Sequence, residues 1–386
     1  MSRVLTIKKI DGKPGQVYYP LELTTHPIPS PGPGEALVRM HTASLNHRDL
    51  FIRQHLYPGI SFTQPLLADG CGTIVSINPS PSPSPSFTVG QRVLPTPCRN
   101  WRASPLGPES PHLFAAVGAS AGHAAGTGCA QDYAVVALSE LEACPPHLSD
   151  AEAAALPLVG LTAWRAVVTK TRGLDEAGGG AVGAGANVLV TGIGGGVALA
   201  ALQFAVARGC RAYVTSSSGE KLGRARGELG ASGGVSYRDP SWDRTLLSQL
   251  PPSRPYFDAI IDGAGGDIMA RAVRLLRPGG AVICYGMTVG PRMDWAMPAV
   301  MRNLELRGTT MGSRAEFRDM VEFVREKRIR PVVSRVVEDG LAHLDAVDGL
   351  FEDMREGRQF GKLVIEILPR GGEEKEKEVG GMDAKL

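Results

Sequence analysis

The stretch VLVTGIGGGVALAALQFA, residues 188–205, decides the fold that we predict. A short apolar run leads into four glycines, and a run of helix-forming residues follows at once. Glycines let the backbone turn tightly and approach an anion without a Cβ in the way, and the helix N-terminus offers free N–H groups to it. This order favours a site for the pyrophosphate of a dinucleotide, and a tight turn without a ligand is the alternative. The residues that we expect at the site are Gly192, Gly195, Gly196 and Val197.

Strand-like and helix-like runs alternate from residue 187 onward. The strand-like runs are residues 187–191, 211–215, 234–237, 257–262, 281–285 and 304–310. The helix-like runs between them are residues 198–208, 220–229, 242–250 and 266–276. Strands and helices that alternate at this spacing indicate parallel βαβ units and a doubly wound sheet. We therefore predict an α/β protein in which residues 151–313 form a nucleotide-binding domain.

The first 150 residues have a different sequence pattern, in which proline and glycine interrupt short apolar runs. Such runs, for example residues 36–40 and 72–77, are typical of a mostly antiparallel, barrel-like unit. We expect residues 78–86 (NPSPSPSPS) to form a surface loop and residues 98–128 a long loop near a cleft. Further predictions are an amphipathic helix at 314–327, a strand at 362–368 that returns to the first unit within 314–368, and a disordered charged tail at 369–386.

Composition excludes several classes of protein. The chain has 386 residues and a formal net charge of +2, which gives no reason to expect a nucleic-acid or membrane surface. Its six cysteines form no C-x-x-C pair, which argues against a zinc ribbon and a disulfide framework. We therefore expect a reduced, cytoplasmic protein.

The end of the second predicted strand, YVTSSSGEK (residues 213–221), indicates which dinucleotide binds. An acidic residue there would bind the ribose 2′-hydroxyl of NAD and repel a 2′-phosphate. No carboxylate stands in residues 214–218, whereas Ser216, Ser217 and Lys221 can bind a phosphate. We therefore predict NADP(H), and capping of the next helix by the serines is the alternative reading. Tyr237 and Gly286 follow later strands on the same side of the sheet, where Tyr237 would cover the adenosine phosphate.

Several further segments, in this order, make the chain resemble a known family. They are SLNHRDLFIRQHLYP (44–58), PLLADGCGTIV (65–75), FTVGQRVLP (87–95), GCAQDYAVV (128–136), LPLVGLTAW (156–164), LLRPGGAVICYG (275–286) and GKLVIEI (361–367). Over residues 37–367 the chain is similar to the medium-chain dehydrogenases/reductases of the alcohol dehydrogenase superfamily, in their zinc-independent, quinone-oxidoreductase-like branch. The resemblance implies an N-terminal GroES-like β-barrel catalytic domain, an inserted Rossmann domain and a C-terminal return to the barrel.

The resemblance also implies that no catalytic metal is bound. Zinc-dependent members have a Cys in the segment that reads LNHRD here and a His in the segment that reads ADG, and these two positions hold Asn46 and Asp69. Asn is a poor zinc ligand, and one Asp cannot complete a tetrahedral site. The four-cysteine structural lobe of the family is missing too. A zinc site that uses His47 and Asp49 stays the alternative.

Without a metal, another group must stabilise the negative charge that develops during hydride transfer. Acceptors that suit this are a quinone or an activated C=C bond, such as an enone or enoyl thioester. The resemblance to enoyl-thioester reductases implies that Tyr57 donates the hydrogen bond, that Asn46 orients the nicotinamide ribose or the substrate, and that Thr162 lies near the nicotinamide ring. For Tyr57 the alternative is simple packing on the cleft wall. A carbonyl/alcohol oxidoreductase and a non-catalytic NADPH-binding scaffold remain the alternative functions.

Two expectations concern partners and location. By family analogy we expect a small-molecule substrate and a homodimer, with residues 304–310 as a candidate edge strand for pairing. The chain ends in Ala384, Lys385 and Leu386, a near match to the S-K-L peroxisomal signal. A peroxisomal address and a chance match in a cytoplasmic protein both stay open.

Overall fold

The computed structural model describes residues 1–80, 86–109, 117–119, 127–175, 179–290 and 292–367. The predicted tail at 369–386, the terminal tripeptide and parts of the predicted loops at 78–86 and 98–128 lie outside these ranges. Within the described part of the chain, no helix has the length and apolar character that crossing a membrane requires. All six cysteines lie in the described ranges and are free thiols.

The described residues form fifteen strands and ten helices. The strands are β1 Ser2–Ile7, β2 Leu21–His26, β3 Glu35–Ser44, β4 Asp69–Asn78, β5 Arg92–Pro95, β6 Tyr133–Ala137, β7 Leu141–Ala143, β8 Asn187–Val190, β9 Arg211–Ser216, β10 Gly233–Ser236, β11 Phe257–Asp262, β12 Leu276–Cys284, β13 Glu305–Gly308, β14 Val333–Val337 and β15 Lys362–Glu366. The helices are α1 His47–Arg53, α2 Asp150–Ala154, α3 Pro157–Trp164, α4 Gly196–Ala207, α5 Gly219–Leu229, α6 Trp242–Leu247, α7 Ile268–Leu275, α8 Met297–Met301, α9 Arg314–Lys327 and α10 Leu344–Arg355. A π-helical turn, Arg165–Thr169, extends α3.

The nucleotide-binding half is a six-stranded sheet in the order β10-β9-β8-β11-β12-β13, and every pair in it is parallel. Counted from its own first strand, this is the order 3-2-1-4-5-6 of a dinucleotide-binding sheet. The central strands β8 and β11 are buried along their whole length, because helices cover both faces of the sheet. The predicted doubly wound α/β fold is confirmed.

The other half is a mostly antiparallel sheet in the order β14-β15-β3-β4-β5-β7, with β6 also paired to β3. Strand β15 runs antiparallel to β3 and brings Val364 opposite Ser44, so the chain returns here to its first sheet. The structure adds β14 and α10, which the sequence analysis missed. Helix α10 packs on the core of this sheet through four apolar side chains at helical spacing, Val347, Leu350, Phe351 and Met354.

A buried ion pair ties α9 to the helix that ends at the π-helical turn. The Nη1 atom of Arg165 lies 2.8 Å from Oε1 and 2.9 Å from Oε2 of Glu316, and the Arg165 side chain is 2% exposed. The guanidinium also donates to the carbonyl of Pro105 and stacks on the ring of Trp101, 4.6 Å from its centroid. Glu316 accepts from the backbone N–H of Ser313, the N-cap of α9, so one carboxylate serves both the cap and the pair.

We expect Arg165→Met to lower the free energy of unfolding by about 3–5 kcal/mol, because it leaves the Glu316 carboxylate without its buried cation. The matched control is Arg330→Met, because Arg330 also pairs with a glutamate, Glu152, but is 56% exposed. For that variant we expect a loss of less than about 1 kcal/mol. Urea denaturation of both variants measures the difference, and equal losses would contradict the burial argument.

Candidate active site

A cavity of about 720 Å³ lies between the two sheets. Its wall includes parts of α1, α3, the glycine-rich turn before α4, the ends of β9 and β12, α10 and the start of β15. All twelve residues that the sequence analysis selected lie on this wall, so the structure brings them together, while their roles stay predictions. They are Asn46, Tyr57, Thr162, Gly192, Gly195, Gly196, Val197, Ser216, Ser217, Lys221, Tyr237 and Gly286.

The glycines of the turn meet different physical requirements. Gly192 has φ +65° and Gly194 has φ +131°, conformations that side chains with a Cβ rarely adopt. A Cβ on Gly196 would lie 2.9 Å from Cγ1 of Val159, so this position has to be small for the helix to pack. A Cβ on Gly195 would have no protein atom within 4 Å. The open space beside Gly195, at the N-terminus of α4, therefore fits an anionic group of a bound molecule.

The end of β9 carries hydroxyl groups and no carboxylate. Ser218 accepts from the backbone N–H of Lys221 and caps α5, so the capping interpretation holds for this serine. Ser217 is partly exposed on the cavity wall, and Ser216 is buried. The Nζ atom of Lys221 donates to the carbonyls of Gly357 at 2.7 Å and Gln359 at 2.8 Å. Lys221 therefore also fixes the segment that leads into β15.

A buried polar cluster lies on the other side of the glycine-rich turn. The Nζ atom of Lys362 donates to Oδ1 of Asn46 at 2.6 Å and to Oδ2 of Asp69 at 2.9 Å. Asn46 donates in turn from Nδ2 to the same Asp69 oxygen at 2.9 Å, and the backbone N–H of Leu158 donates to the other one. Lys362 is 4% exposed and Asp69 is fully buried. The cluster is therefore a compact, hydrogen-bonded ion pair at the edge of the cavity.

Sequence reasoning missed Lys362, because the residue lies 316 positions from Asn46 and 293 from Asp69. Strand pairing brings them together: β15 lies beside β3, which leads directly into Asn46. Gly361 donates from its backbone N–H to the carbonyl of Gly194 at 3.0 Å, which joins the start of β15 to the glycine-rich turn. The one local signal was a lysine at the head of the otherwise apolar run KLVIEIL.

Helix α1 fixes the position of Asn46. Asp49 accepts from the backbone N–H of Asn46 at 2.8 Å, the arrangement of a capping box. Burial raises the pKa of Asp49 to about 6, although Arg48 and Lys362 act in the opposite direction. Because this bond holds the backbone at the start of the helix, the Asn46 amide stays directed at Asp69 and Lys362.

The remaining predicted residues flank this cluster. Tyr57 is half-buried, and the Arg48 guanidinium stacks on its ring at 4.9 Å from the centroid. Arg48 is held by the carbonyls of Val117 and Gly118. Thr162 donates to the carbonyl of Leu158 at 2.8 Å, a bond from its hydroxyl back to the helix backbone.

The donor set around Lys362 does not fit a zinc ion. Zinc sites in proteins use thiolates, imidazoles and carboxylates, with at least three protein ligands. Here Asp69 is the one anionic donor, Asn46 offers a neutral amide, and Lys362 places a cation against both of them. Within the described ranges, no group of three or more His, Cys, Asp or Glu side chains could hold a metal ion.

We expect Lys362→Met to lower the free energy of unfolding by about 3–5 kcal/mol, because the Asp69 carboxylate would stay buried without a cation. Adding Asp69→Asn to the same chain removes the unpaired charge and should restore most of that loss. Chemical denaturation at pH 7 compares the two variants with the unchanged protein. A double variant no more stable than Lys362→Met would show that the charge pairing is not the cause.

The comparisons with known proteins agree with this architecture. Residues 32–146 match the family model of the alcohol dehydrogenase GroES-like domain, and residues 196–326 match that of the zinc-binding dehydrogenases. The chain is 54% identical over 369 residues to the zinc-type alcohol dehydrogenase-like protein YogA of Leptosphaeria maculans, which covers 95% of this chain and 100% of that one.

Two further matches are more distant. Acryloyl-coenzyme A reductase of Metallosphaera sedula is 25% identical over 346 residues, covering 87% of this chain and 93% of that protein. The crystal structure of a putative alcohol dehydrogenase from Sinorhizobium meliloti superposes with a TM-score of 0.78 at 28% identity, covering 95% of this chain and 98% of that one. The chain therefore belongs to the medium-chain dehydrogenase/reductase superfamily, whose members are nicotinamide-dependent oxidoreductases.

Proposed function

We propose that the protein is an NADP(H)-dependent, zinc-independent oxidoreductase that transfers a hydride to a quinone or to the activated C=C bond of an enone or enoyl substrate. The observation that carries this proposal is the shared cavity. Its wall holds a glycine-rich helix start fit for a pyrophosphate and, beside it, Asn46, Tyr57 and a lysine-centred cluster that does not fit zinc. Acceptors whose negative charge spreads into a carbonyl need only hydrogen-bond donors or a fixed cation.

The preference for NADP(H) is argued from the end of β9. A 2′-phosphate would meet the Ser217 hydroxyl and the Lys221 ammonium there, and residues 214–218 contain no carboxylate that would repel it. Lys221 also donates to two backbone carbonyls, so it contributes charge while holding the next segment in place. Tyr237 is 49% exposed at the same end of the cavity, where an adenosine group could stack on its ring.

When bound, the coenzyme supplies the hydride. The chain supplies the positions and the polar groups: Thr162 and Asn46 lie on the cavity wall that the glycine-rich turn and Tyr57 also form. The Tyr57 hydroxyl can donate a proton to the substrate, and the Arg48 guanidinium on its ring face holds the ring in position. The similarity to an acryloyl-coenzyme A reductase supports reduction of a C=C bond conjugated to a carbonyl.

The coenzyme preference is tested by Ser217→Asp. We expect the unchanged protein to bind NADPH more tightly than NADH, and the variant to lose at least tenfold in NADPH affinity, because a carboxylate repels the 2′-phosphate. The affinity for NADH, which has a free 2′-hydroxyl, should fall only slightly or rise. Fluorescence titration of both coenzymes measures the ratio.

Two controls accompany that titration. Ser217→Ala removes the hydroxyl without adding charge and should weaken NADPH binding only slightly. Gly195→Ala places a methyl group in the open space beside the α4 N-terminus and should weaken both coenzymes alike. Tighter binding of NADH than of NADPH by the unchanged protein would refute the assignment.

The role of Tyr57 is tested by Tyr57→Phe. Loss of the hydroxyl should lower kcat by about 10²–10⁴-fold, the usual contribution of a positioned proton donor, while NADPH affinity stays the same. Turnover is measured over quinones, enones, enoyl thioesters and aldehydes. Reduction of aldehydes alone would favour a carbonyl oxidoreductase, and no turnover with bound NADPH would favour a scaffold. Unchanged kcat on the best acceptor would remove Tyr57 from the mechanism.

The proposed partner is a second copy of the chain, joined at the edge strand β13. In the described part of the chain, β13 ends the six-stranded sheet and carries the exposed Leu306, and the segment that precedes it in sequence exposes Trp295 and Met301. We expect a dimer in analytical ultracentrifugation and a monomer after Leu306→Lys. A monomeric unchanged protein would contradict this.

A further inference from the structure

Lys362 is a charged side chain in a position that usually excludes charge. It is 4% exposed, its stem lies against Gly196 of the glycine-rich turn, and it forms part of the cavity wall. Burying an ammonium group is costly unless partners compensate. Asp69 supplies the opposite charge and Asn46 a carbonyl oxygen. Asp69 and Asn46 therefore offset the desolvation free energy of a cation buried at this position.

The cluster leaves the ammonium group with spare hydrogen-bonding capacity. An ammonium has three N–H bonds, and Lys362 uses two of them on Asn46 and Asp69. The third is left for a molecule in the cavity. Asp69 is itself anchored by the Leu158 N–H at 2.9 Å and by the Asn46 amide, so the whole arrangement is fixed before a ligand arrives.

A fixed cation that is itself buried is suited to binding an oxygen that becomes negative. Its interaction with a developing charge is stronger there than in water, and no reorganisation is needed when that charge appears. The pair with Asp69 does not remove this capacity, because the carboxylate is shared with three other donors, Asn46, Leu158 and the Ser44 hydroxyl. The site therefore favours a carbonyl oxygen over a hydrocarbon group.

We infer that Lys362 is a catalytic residue of the proposed reaction, whose ammonium group donates a hydrogen bond to the carbonyl oxygen of the acceptor. The inference rests on the proposed function. The hydride electron pair forms the new C–H bond at the β-carbon, the C=C electron pair moves toward the carbonyl carbon, and the carbonyl electron pair moves onto the oxygen beside Lys362. The resulting enolate then takes a proton at the α-carbon from the Tyr57 hydroxyl, which solvent reprotonates.

This arrangement gives the cavity two polar groups with separate tasks. Lys362 binds the carbonyl oxygen throughout the reaction, whereas Tyr57 donates one proton to the α-carbon. Asn46 and Asp69 are positioning residues, because they act on the substrate through the ammonium group that they hold. The substrate class that fits is a conjugated carbonyl compound, with its oxygen toward β15.

The test uses the full-length Lys362→Met/Asp69→Asn variant, in which both charges are absent and which we expect to fold. With NADPH saturating, we expect its kcat on the best acceptor to fall by about 10²–10³-fold, the usual effect of losing one donor to a developing oxyanion. Its NADPH affinity should stay within threefold of the unchanged protein. Lys362→Arg, which keeps the charge, should recover part of the rate, and Asp69→Asn alone should fall between.

A binding measurement supplies a readout that does not depend on turnover. Isobutyrate is a carboxylate of the size of a small acyl group, and isobutyramide is its neutral counterpart. We expect the unchanged protein with NADP⁺ to bind isobutyrate more tightly than isobutyramide by calorimetry, and the double variant to lose that preference. Equal preference in both proteins would overturn the inference.

The outcomes separate the inference from the function on which it rests. If the unchanged protein reduces acceptors and the double variant keeps more than a third of the rate, Lys362 is structural and the proposed function stands. If NADPH affinity falls instead of kcat, Lys362 belongs to the coenzyme site and the inference fails. If the unchanged protein reduces no acceptor, the proposed function fails, and the isobutyrate measurement alone decides whether Lys362 binds a carbonyl-type oxygen.

Discussion

The ion pair between Lys362 and Asp69 joins three separate parts of the chain at one buried point. Asp69 opens β4, Asn46 precedes α1, and Lys362 opens β15 near the end of the described chain. A buried pair of this kind needs further hydrogen bonds to both partners. Here the Leu158 N–H and the Asn46 amide N–H bond to Asp69, and the Asn46 carbonyl oxygen accepts from Lys362. This contact therefore fixes the positions of the cavity wall, strand β15 and the start of α1 relative to one another.

The fold was largely predictable because its signals are local. Each βα unit carries its own apolar run and its own turn, so the parallel sheet follows from residues close together in sequence. The apolar residues of α10 also have helical spacing, so its sequence pattern was sufficient to predict this helix. Strand β14 is different: its burial pattern is mostly exposed, and no alternation marks it.

The candidate site was predictable only in part. The glycine-rich turn and the serines after β9 are contiguous motifs, and Asn46 and Tyr57 lie in one short segment. Lys362 has no such neighbour, because its partners are about 300 residues away and only strand pairing brings them near. The Lys362 ammonium that binds Asn46 and Asp69 also supports the expectation that this cavity works without zinc. The sequence analysis drew that expectation from the missing zinc ligands.

Gly361 connects the glycine-rich turn to Lys362. Its φ is +118°, and a Cβ there would lie 2.4 Å from the carbonyl oxygen of Val332, so no larger residue can replace it without displacing the strand. Its N–H is bonded to Gly194, and the next residue is Lys362. The glycine-rich turn and the backbone of Lys362 are thus coupled through one peptide unit. A displacement of the turn would move the start of β15, and Lys362 with it.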